Sequence, residues 1–234
     1  MAERLYIVLT EPHAWTARMK FSPDGAFPWD HVSVAPPIDQ RYTLDIHWKR
    51  MKRLTVDYFG NEIVSERFKV MCDQQKVDCQ FVPLDIILND VPVEENFSFI
   101  LLNEFVSIVD MQKTPHVKRR TRDGKSYSMS SYFSGVPEYG LLEHIVFNDS
   151  PKPPFFIAPE IGGKRVCTEA FKDSAEANNF ERIKFVPIDD DYKYEALGWQ
   201  PRWAYDESGD RFTIIEQSQL IGERGKDGSP ETAK

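Results

Sequence analysis

The sequence predicts an α+β fold, a strand-rich single domain that contains two related strand–helix–strand units produced by internal duplication. The main observation is a repeat: residues 65–84 read SERFKVMCDQQKVDCQFVPL, and residues 168–188 read TEAFKDSAEANNFERIKFVPI. The two other observations are helix-capping residues in both copies and short runs of alternating hydrophobicity elsewhere. Two copies indicate a duplicated unit rather than a solenoid, which needs at least three repeats.

Each copy of the repeat has the signals of a capped helix, predicted over 65–76 and 168–179. Ser65 and Thr168 are good N-cap residues, because a hydroxyl oxygen can accept from the unpaired N–H groups of the first turn. An acidic residue follows each cap, where the helix dipole favours negative charge. The expected buried faces of the two helices are Phe68, Met71 and Cys72 in one and Phe171, Ser174 and Ala175 in the other. A strand with Phe-Val-Pro follows each helix, and the proline confines it to an edge, a bulge or a strand end.

Alternating apolar and polar residues predict the strands at 41–50 and 54–59, and runs rich in apolar residues predict the others. The strands are expected at 4–9, 41–50, 54–59, 97–111 (two strands broken at Asn103 and Glu104), 140–148 and 211–217. The proline-rich stretch 11–40 is predicted to be mostly loop. We expect one domain over 1–217, with two lobes at about 1–95 and 96–217, and a flexible polar tail at 218–234.

Composition is that of a soluble globular protein, with 41% hydrophobic residues, 28% charged residues and a net charge of −8. Negative charge argues against general nucleic-acid binding and fits solubility or a basic partner. No apolar run has the length of a membrane-spanning helix, and the first run is too short for a signal peptide. These features predict a cytoplasmic protein with reduced thiols.

Motifs for catalysis, cofactors or metals are not found in the sequence. The three cysteines form no CxxC, and the five histidines form no HxH or HExxH. Gly162-Gly163-Lys164 lacks the length of a phosphate-binding loop and is better explained as a turn. We therefore predict no catalytic residues, no cofactor and no metal. A small enzyme that uses Cys72 or Cys167 with a distant histidine is the alternative.

One basic segment, residues 116–125, carries an Asp123-Gly124 turn signal. It contains Lys118, Arg119, Arg120, Arg122 and Lys125. These side chains could contact phosphates or an acidic partner, or simply be solvated. A nucleic-acid-binding module that uses this loop is a further alternative, although only Tyr127 supplies a nearby stacking ring.

The segment 189–210 combines aromatic and acidic residues. Aromatic anchors with a charged rim are typical of protein interfaces. The residues predicted to bind a partner are Trp199, Trp203, Tyr205, Asp206, Glu207 and Asp210. An acidic rim would steer a basic partner into contact. The other interpretation is that the tryptophans fill the core while the carboxylates face water.

The chain resembles the bacterial immunity proteins of polymorphic toxin systems grouped as immunity protein family eleven, with family forty-three as the alternative. The resemblance covers roughly residues 40–190 and rests on three stretches: FILLNEFVSIVDMQKT, LLEHIVFND and FFIAPEIGGKRVCTEAFKDSAEANNFERIKFVPID. It implies a cytoplasmic protein that binds and neutralises a cognate co-encoded toxin. It carries no catalytic motif over to this sequence.

Overall fold

The computed structural model describes residues 4–10, 18–22, 42–47, 53–54, 56–59, 62–119, 126–196, 204–205 and 211–212. These residues form two compact units. The first unit comprises Met1–Val106, Pro151–Ile157 and Lys164–Pro187, and the second comprises Ser107–Ser150, Ala158–Gly163 and Ile188–Lys234. The residue ranges of these units differ from those of the two lobes expected from the sequence. The expectation of one domain over 1–217 stays a prediction.

The described residues are strand-rich and contain two α-helices, as expected for an α+β protein. The strands of the first half are β1 (Leu5–Thr10), β2 (Arg18–Ser22), β3 (Tyr42–His47), β4 (Tyr58–Phe59), β5 (Ile63–Ser65), β6 (Cys79–Leu88), β7 (Val91–Pro92) and β8 (Phe97–Leu102). Those of the second half are β9 (His116–Lys118), β10 (Tyr139–Leu142), β11 (Phe155–Ala158), β12 (Lys164–Thr168), β13 (Ile183–Pro187), β14 (Tyr194–Glu195), β15 (Ala204–Tyr205) and β16 (Arg211–Phe212). The helices are α1 (Glu66–Gln74) and α2 (Glu169–Ala177).

Two sheets contain most of the strands. A seven-stranded sheet has the order β2-β3-β6-β8-β5-β4, with β7 beside β6. Its β3–β6 pairing is parallel, and the other neighbouring pairs are antiparallel. A four-stranded sheet has the order β11-β12-β1-β13. Alternating burial along β3, with Tyr42, Leu44 and Ile46 inside, matches the alternation predicted from its sequence.

Both predicted helices are present and begin at the predicted caps. The Ser65 hydroxyl accepts from the Phe68 N–H at 3.2 Å, and the Thr168 hydroxyl accepts from the Phe171 N–H at 3.4 Å. Each bond satisfies one of the donors that a helix start leaves without an intrahelical partner. The faces predicted to be buried are buried, except that Ser174 is half-buried.

The two helices also end in the same way, in a Schellman motif. The residue after each C-cap, Lys76 or Asn179, adopts a left-handed conformation with φ of 56° or 51°. The next residue, Val77 or Phe180, donates its N–H to a carbonyl five positions earlier. This pair of turns satisfies carbonyls that would otherwise lack partners at the helix end.

Each helix connects two strands that flank a third, antiparallel strand. In the first case β8 lies between β5 and β6; in the second, β1 lies between β12 and β13. The register is also equivalent. Val64 and Pro83 both lie opposite Ser98 of β8, and their counterparts Cys167 and Pro187 both lie opposite Tyr6 of β1.

The proline positions agree with the chemistry of proline in strands. Pro187 is the last residue of β13, an edge strand. Pro83 lies inside β6, which has neighbours on both sides, but the pairing with β3 begins only at Leu84. Among the described residues, Pro83 is paired only with Ser98 of β8, and it stands one residue before the described pairing with β3 begins.

An aromatic cluster packs α1 against α2 in the first unit. Phe68 and Phe171 are fully buried, with ring centroids 6.0 Å apart in an edge-to-face arrangement. Phe155 stacks on Phe171 at 4.9 Å, and Tyr58 and Phe180 lie 5.5 and 5.6 Å from Phe68. Aromatic pairs at these separations are stabilising beyond the area they bury.

A buried carboxylate connects the start of α1 with the segment after α2. Asp57, with 5% of its surface exposed, accepts from the Ser65 hydroxyl at 2.5 Å and from the Glu181 N–H at 2.9 Å. Its own N–H donates to the Glu181 carbonyl, and its carbonyl accepts from the Ser65 N–H. A buried charge is tolerated when such bonds replace its hydration.

The second unit contains a three-stranded antiparallel sheet of order β14-β10-β9. A short 3₁₀ helix, Pro159–Ile161, ends at Gly162 with φ of 72°, and Gly163 has φ of 70°. A side chain at Gly162 would place its Cβ 2.5 Å from the Tyr194 hydroxyl oxygen. The two glycines therefore make a turn, as the sequence indicated, and not a phosphate loop.

Several predicted strands are shorter than expected. Residues 104–111 make isolated bridges rather than a strand, and the strand expected at 140–148 ends at Leu142, shortly before His144 with φ of 47°. Of the described residues in the stretch 54–59, only Tyr58–Phe59 form a strand. Conversely, β2 lies in the region predicted as loop, and β9 lies at the start of the basic loop. Backbone pairing, which alternation alone does not specify, decides these cases.

Truncation of either helix's central ring should be strongly destabilising. We expect Phe68→Ala and Phe171→Ala each to lower the free energy of unfolding by about 3–5 kcal/mol, because each leaves a cavity in the cluster. The control is Val70→Ala on the exposed face of α1, which should change it by less than about 0.5 kcal/mol. Denaturant unfolding measures all three variants. A loss below 1 kcal/mol for either phenylalanine would contradict the packing described.

The left-handed residue after α1, Lys76, has a strained backbone conformation. We expect Lys76→Gly to raise the free energy of unfolding by roughly 0.5–1 kcal/mol. A left-handed backbone costs roughly 1–2 kcal/mol for most L-residues, and glycine removes this cost. Glycine also increases the entropy of the unfolded chain, which offsets part of the gain. Asn179→Gly is the matched variant and should gain less, because asparagine tolerates this conformation better. Thermal and denaturant melts of both would test the expected order.

Candidate functional site

The residues predicted to bind a partner lie almost entirely outside the described part of the chain. Trp199, Trp203, Asp206, Glu207 and Asp210 are among the residues the structure does not describe. The backbone of Tyr205 lies in β15, opposite Arg211 of β16. The assignment of these six residues to a partner surface stays a prediction.

The described beginning of the same segment separates its aromatic residues from its carboxylates. Tyr194 is buried in β14 and Tyr192 is half-buried, while Asp189, Asp190 and Asp191 are exposed. The pKa values of the Tyr192 and Tyr194 hydroxyls are both raised, and burial is the largest cause for each. In residues 189–196 the rings therefore pack inward and the acidic groups face solvent.

A short hairpin in the second unit displays apolar side chains instead. Its two arms are joined by a bridge between Met129 and Pro137 and by backbone bonds from Ser130 to Val136 and from Glu138 to Ser128. The Ser130 hydroxyl accepts from the backbone N–H groups of Tyr132 and Phe133, which closes the turn. Gly135 has φ of 78° and open space around its Cα, so the turn requires its backbone freedom. The result is a well-bonded hairpin rather than a loose loop.

Three large apolar side chains of this hairpin are exposed. Tyr127, Met129 and Tyr132 have 39%, 51% and 50% of their surfaces exposed, and we call them the Tyr–Met patch. Tyr127 and Met129 are two positions apart on one arm and point to the same side, while Ser128 between them points to the other. Tyrosine and methionine are among the residues enriched in protein interfaces.

Charged groups lie beside the patch. The Lys118 ammonium lies 5.6 Å from the centroid of the Tyr127 ring, within the range of a cation–π contact. Glu138 pairs with Arg119 at 3.7 Å and accepts from the Ser128 hydroxyl at 2.7 Å. Lys118 and Arg119 are the described members of the predicted basic cluster; Arg120, Arg122 and Lys125 are not described.

The patch was not found by sequence reasoning, although a signal for it existed. Residues 127–130 read Tyr-Ser-Met-Ser, an alternation of apolar and polar side chains followed by turn residues. Such a pattern is usually interpreted as a half-buried strand. Only the tertiary structure shows that the apolar side of this arm remains in solvent.

The two cysteines considered for catalysis are buried, and two of the described histidines are bonded to backbone carbonyls. Cys72 and Cys167 are buried, and burial raises the pKa of both thiols, so each is held as the neutral, unreactive form. Among the described histidines, His116 donates from Nδ1 to the Thr114 carbonyl, and His144 donates from Nδ1 to the Asp190 carbonyl. Within the described residues, no group of three or more His, Cys, Asp or Glu could hold a metal ion.

Comparison with known families identifies the class of protein. The family model for the immunity protein family Imm11 matches residues 9–190, which is most of the chain, so the chain belongs to this family. The expected resemblance to immunity protein family eleven is thereby confirmed. No curated protein matches the chain. In the described part of the chain, neither helix is long and apolar enough to cross a membrane.

The thiols provide a test of this description. We expect Cys72 and Cys167 to resist alkylation by iodoacetamide at pH 8 in the folded protein and to react fully in denaturant, because burial both blocks access and disfavours the thiolate. Half-buried Cys79 is the internal control and should react first. Mass spectrometry of digested samples locates the modified residues. Rapid labelling of Cys72 or Cys167 in the native state would reopen a nucleophilic role.

Proposed function

We propose that this protein neutralises a cognate, co-encoded toxin in the cytoplasm by protein–protein contact, without catalysis of its own. Membership of the Imm11 family over residues 9–190 is the observation that carries this proposal. An immunity protein of this kind acts by occupying a surface of the toxin, so it needs a stable scaffold and an exposed recognition surface rather than an active site.

The described structure is compatible with a binder of this type. Its first unit is held by the aromatic cluster and by the Asp57 network, both of which are buried. Rigid partners lose less conformational entropy on association and so bind more tightly for the same contacts. The buried thiols of Cys72 and Cys167 lack the exposure that a nucleophile needs.

The acidic C-terminal segment supports a specific idea about the partner. We propose that residues 189–210 contribute to the contact and that their carboxylates attract a basic toxin. Rim charges mainly raise the association rate, and salt screens that effect, whereas buried aromatic anchors mainly slow dissociation. Trp199 and Trp203 would be the anchors, and Asp206, Glu207 and Asp210 the rim.

We also infer that the two strand–helix–strand units descend from one duplicated unit. The sequence repeat, the equivalent N-caps, the two Schellman motifs and the matching register about Ser98 and Tyr6 support this inference. An experimentally determined structure in which 62–86 and 165–190 do not superpose would argue against it.

The proposed function is tested by stoichiometry. We expect the C-terminal toxin domain encoded by the adjacent gene to bind this protein with a 1:1 endpoint in isothermal titration calorimetry, and co-expression to protect cells from that toxin. Because the proposed mechanism is occupancy, toxin activity should fall linearly to zero at one equivalent, and the mass of the toxin should not change.

Two results would contradict the proposal in different ways. Protection at far below one equivalent, with a changed toxin mass, would indicate that this protein acts as an enzyme. No binding and no protection, with an immunity protein of a different family and its own toxin as the positive control, would indicate that the adjacent gene product is not its target.

A further inference from the structure

We propose that the Tyr–Met patch, with the basic strand residue Lys118 beside it, is a docking surface for the toxin, and that it fits an apolar recess with an acidic rim. This inference rests on the proposed function and adds a surface that is distinct from the 189–210 segment. It also predicts the partner's charge at this point of contact, which is the opposite of the charge expected to face 189–210.

Clustering is the first argument. Seven large hydrophobic side chains are exposed among the described residues, and four of them lie on different stretches of the chain: Val70, Val91, Phe105 and Val146. The remaining three, Tyr127, Met129 and Tyr132, lie within six residues on one hairpin. Isolated exposed apolar residues are normal on a soluble protein, whereas a cluster rimmed by polar groups marks an interaction site.

Pre-organisation is the second argument. The Ser130 turn bonds, the Met129–Pro137 bridge and the Ser128–Glu138 bond hold the hairpin in shape before any partner arrives. Tyrosine has only two side-chain torsions to fix, and Lys118 already lies over the Tyr127 ring. Less ordering is needed on binding, so more of the contact energy appears as affinity.

Charge is the third argument and selects the occupant. The Lys118 ammonium lies over the Tyr127 ring, in a chain whose net charge is −8. A second copy docked through the same patch in a two-fold arrangement would bring the Lys118 ammonium groups of both copies towards each other, which is unfavourable. An acidic rim on the toxin would be attracted. The patch also lies inside the range matched by the family, 9–190, whereas Trp199 and Trp203 lie outside it.

The main experiment compares patch variants with variants at matched exposed positions. We expect the triple variant Tyr127→Ala, Met129→Ala, Tyr132→Ala to bind the adjacent-gene toxin domain about 100-fold more weakly, mostly through faster dissociation, since central aromatic anchors carry such effects. The double variant Val70→Ala, Val91→Ala removes exposed apolar groups elsewhere and should bind as wild type does. Thermal melts of both variants confirm that the fold is intact.

The charge component has its own readout. Lys118→Glu should slow association severalfold at low salt, and the difference from wild type should shrink as salt increases. Lys184→Glu, at an exposed position of β13, is the control for a general change in net charge and should have a much smaller effect. Association rates are measured by surface plasmon resonance at two salt concentrations.

The outcomes separate this surface from the proposed function. Wild-type binding by the folded triple variant overturns the surface but not the function, and loss of affinity in Asp206→Lys, Glu207→Lys, Asp210→Lys alone would assign the contact to 189–210. If the wild-type protein is a dimer in analytical ultracentrifugation and the triple variant is a monomer, the patch is a self-association surface and not a toxin-docking surface. If the wild-type protein binds single-stranded RNA in a salt-dependent way and the patch variants do not, the patch is a nucleic-acid surface instead. If wild-type protein does not bind the toxin domain at all, the proposed function itself fails.

Discussion

The packing of α1 against α2 through Phe68 and Phe171 is the constraint on which the first unit depends. Each ring is fully buried, and together with Tyr58, Phe155 and Phe180 they form one continuous aromatic cluster. The helices have only nine residues each, which is too short to be stable alone in water. Their stability therefore comes from this contact and from the strands to which they are connected.

The same contact is surrounded by polar bonds between the elements that it joins. The start of α1 must remain beside the segment that follows α2, and Asp57 joins them by accepting from Ser65 and Glu181. Gln75 donates to Ser174 between the helices, and Arg67 donates to the Asn178 carbonyl while lying over the Phe180 ring. These bonds are directional, so they fix the relative position of the helices in a way that apolar contact alone does not.

Aromatic residues have two different roles in this chain. In the first unit they form a closed core, and in the hairpin of the second unit two tyrosines remain in solvent. Rings buried in the first unit contribute to its stability, whereas the exposed tyrosines of the hairpin contribute little to the burial of apolar surface.

The sequence by itself determined the local structure at the repeats. Hydroxyl caps, acidic first turns and apolar helical spacing are local signals, and both helices begin where Ser65 and Thr168 predict. A short apolar run located β1, and clear alternation located β3. The strands expected beyond Asn103 and after Leu142 failed, because pairing depends on which distant segment lies alongside.

Only the tertiary structure decided which apolar residues are core and which are exposed. Tyr127, Met129 and Tyr132 have the same local pattern as buried strand residues, and hydrophobic sequence gives no direct measure of solvent contact. The matching positions of Ser98 and Tyr6, which lie far apart in sequence from the helices they serve, also required the paired sheets to be seen. Capping and helical periodicity act within a few residues, whereas burial and register depend on contacts between segments distant along the chain.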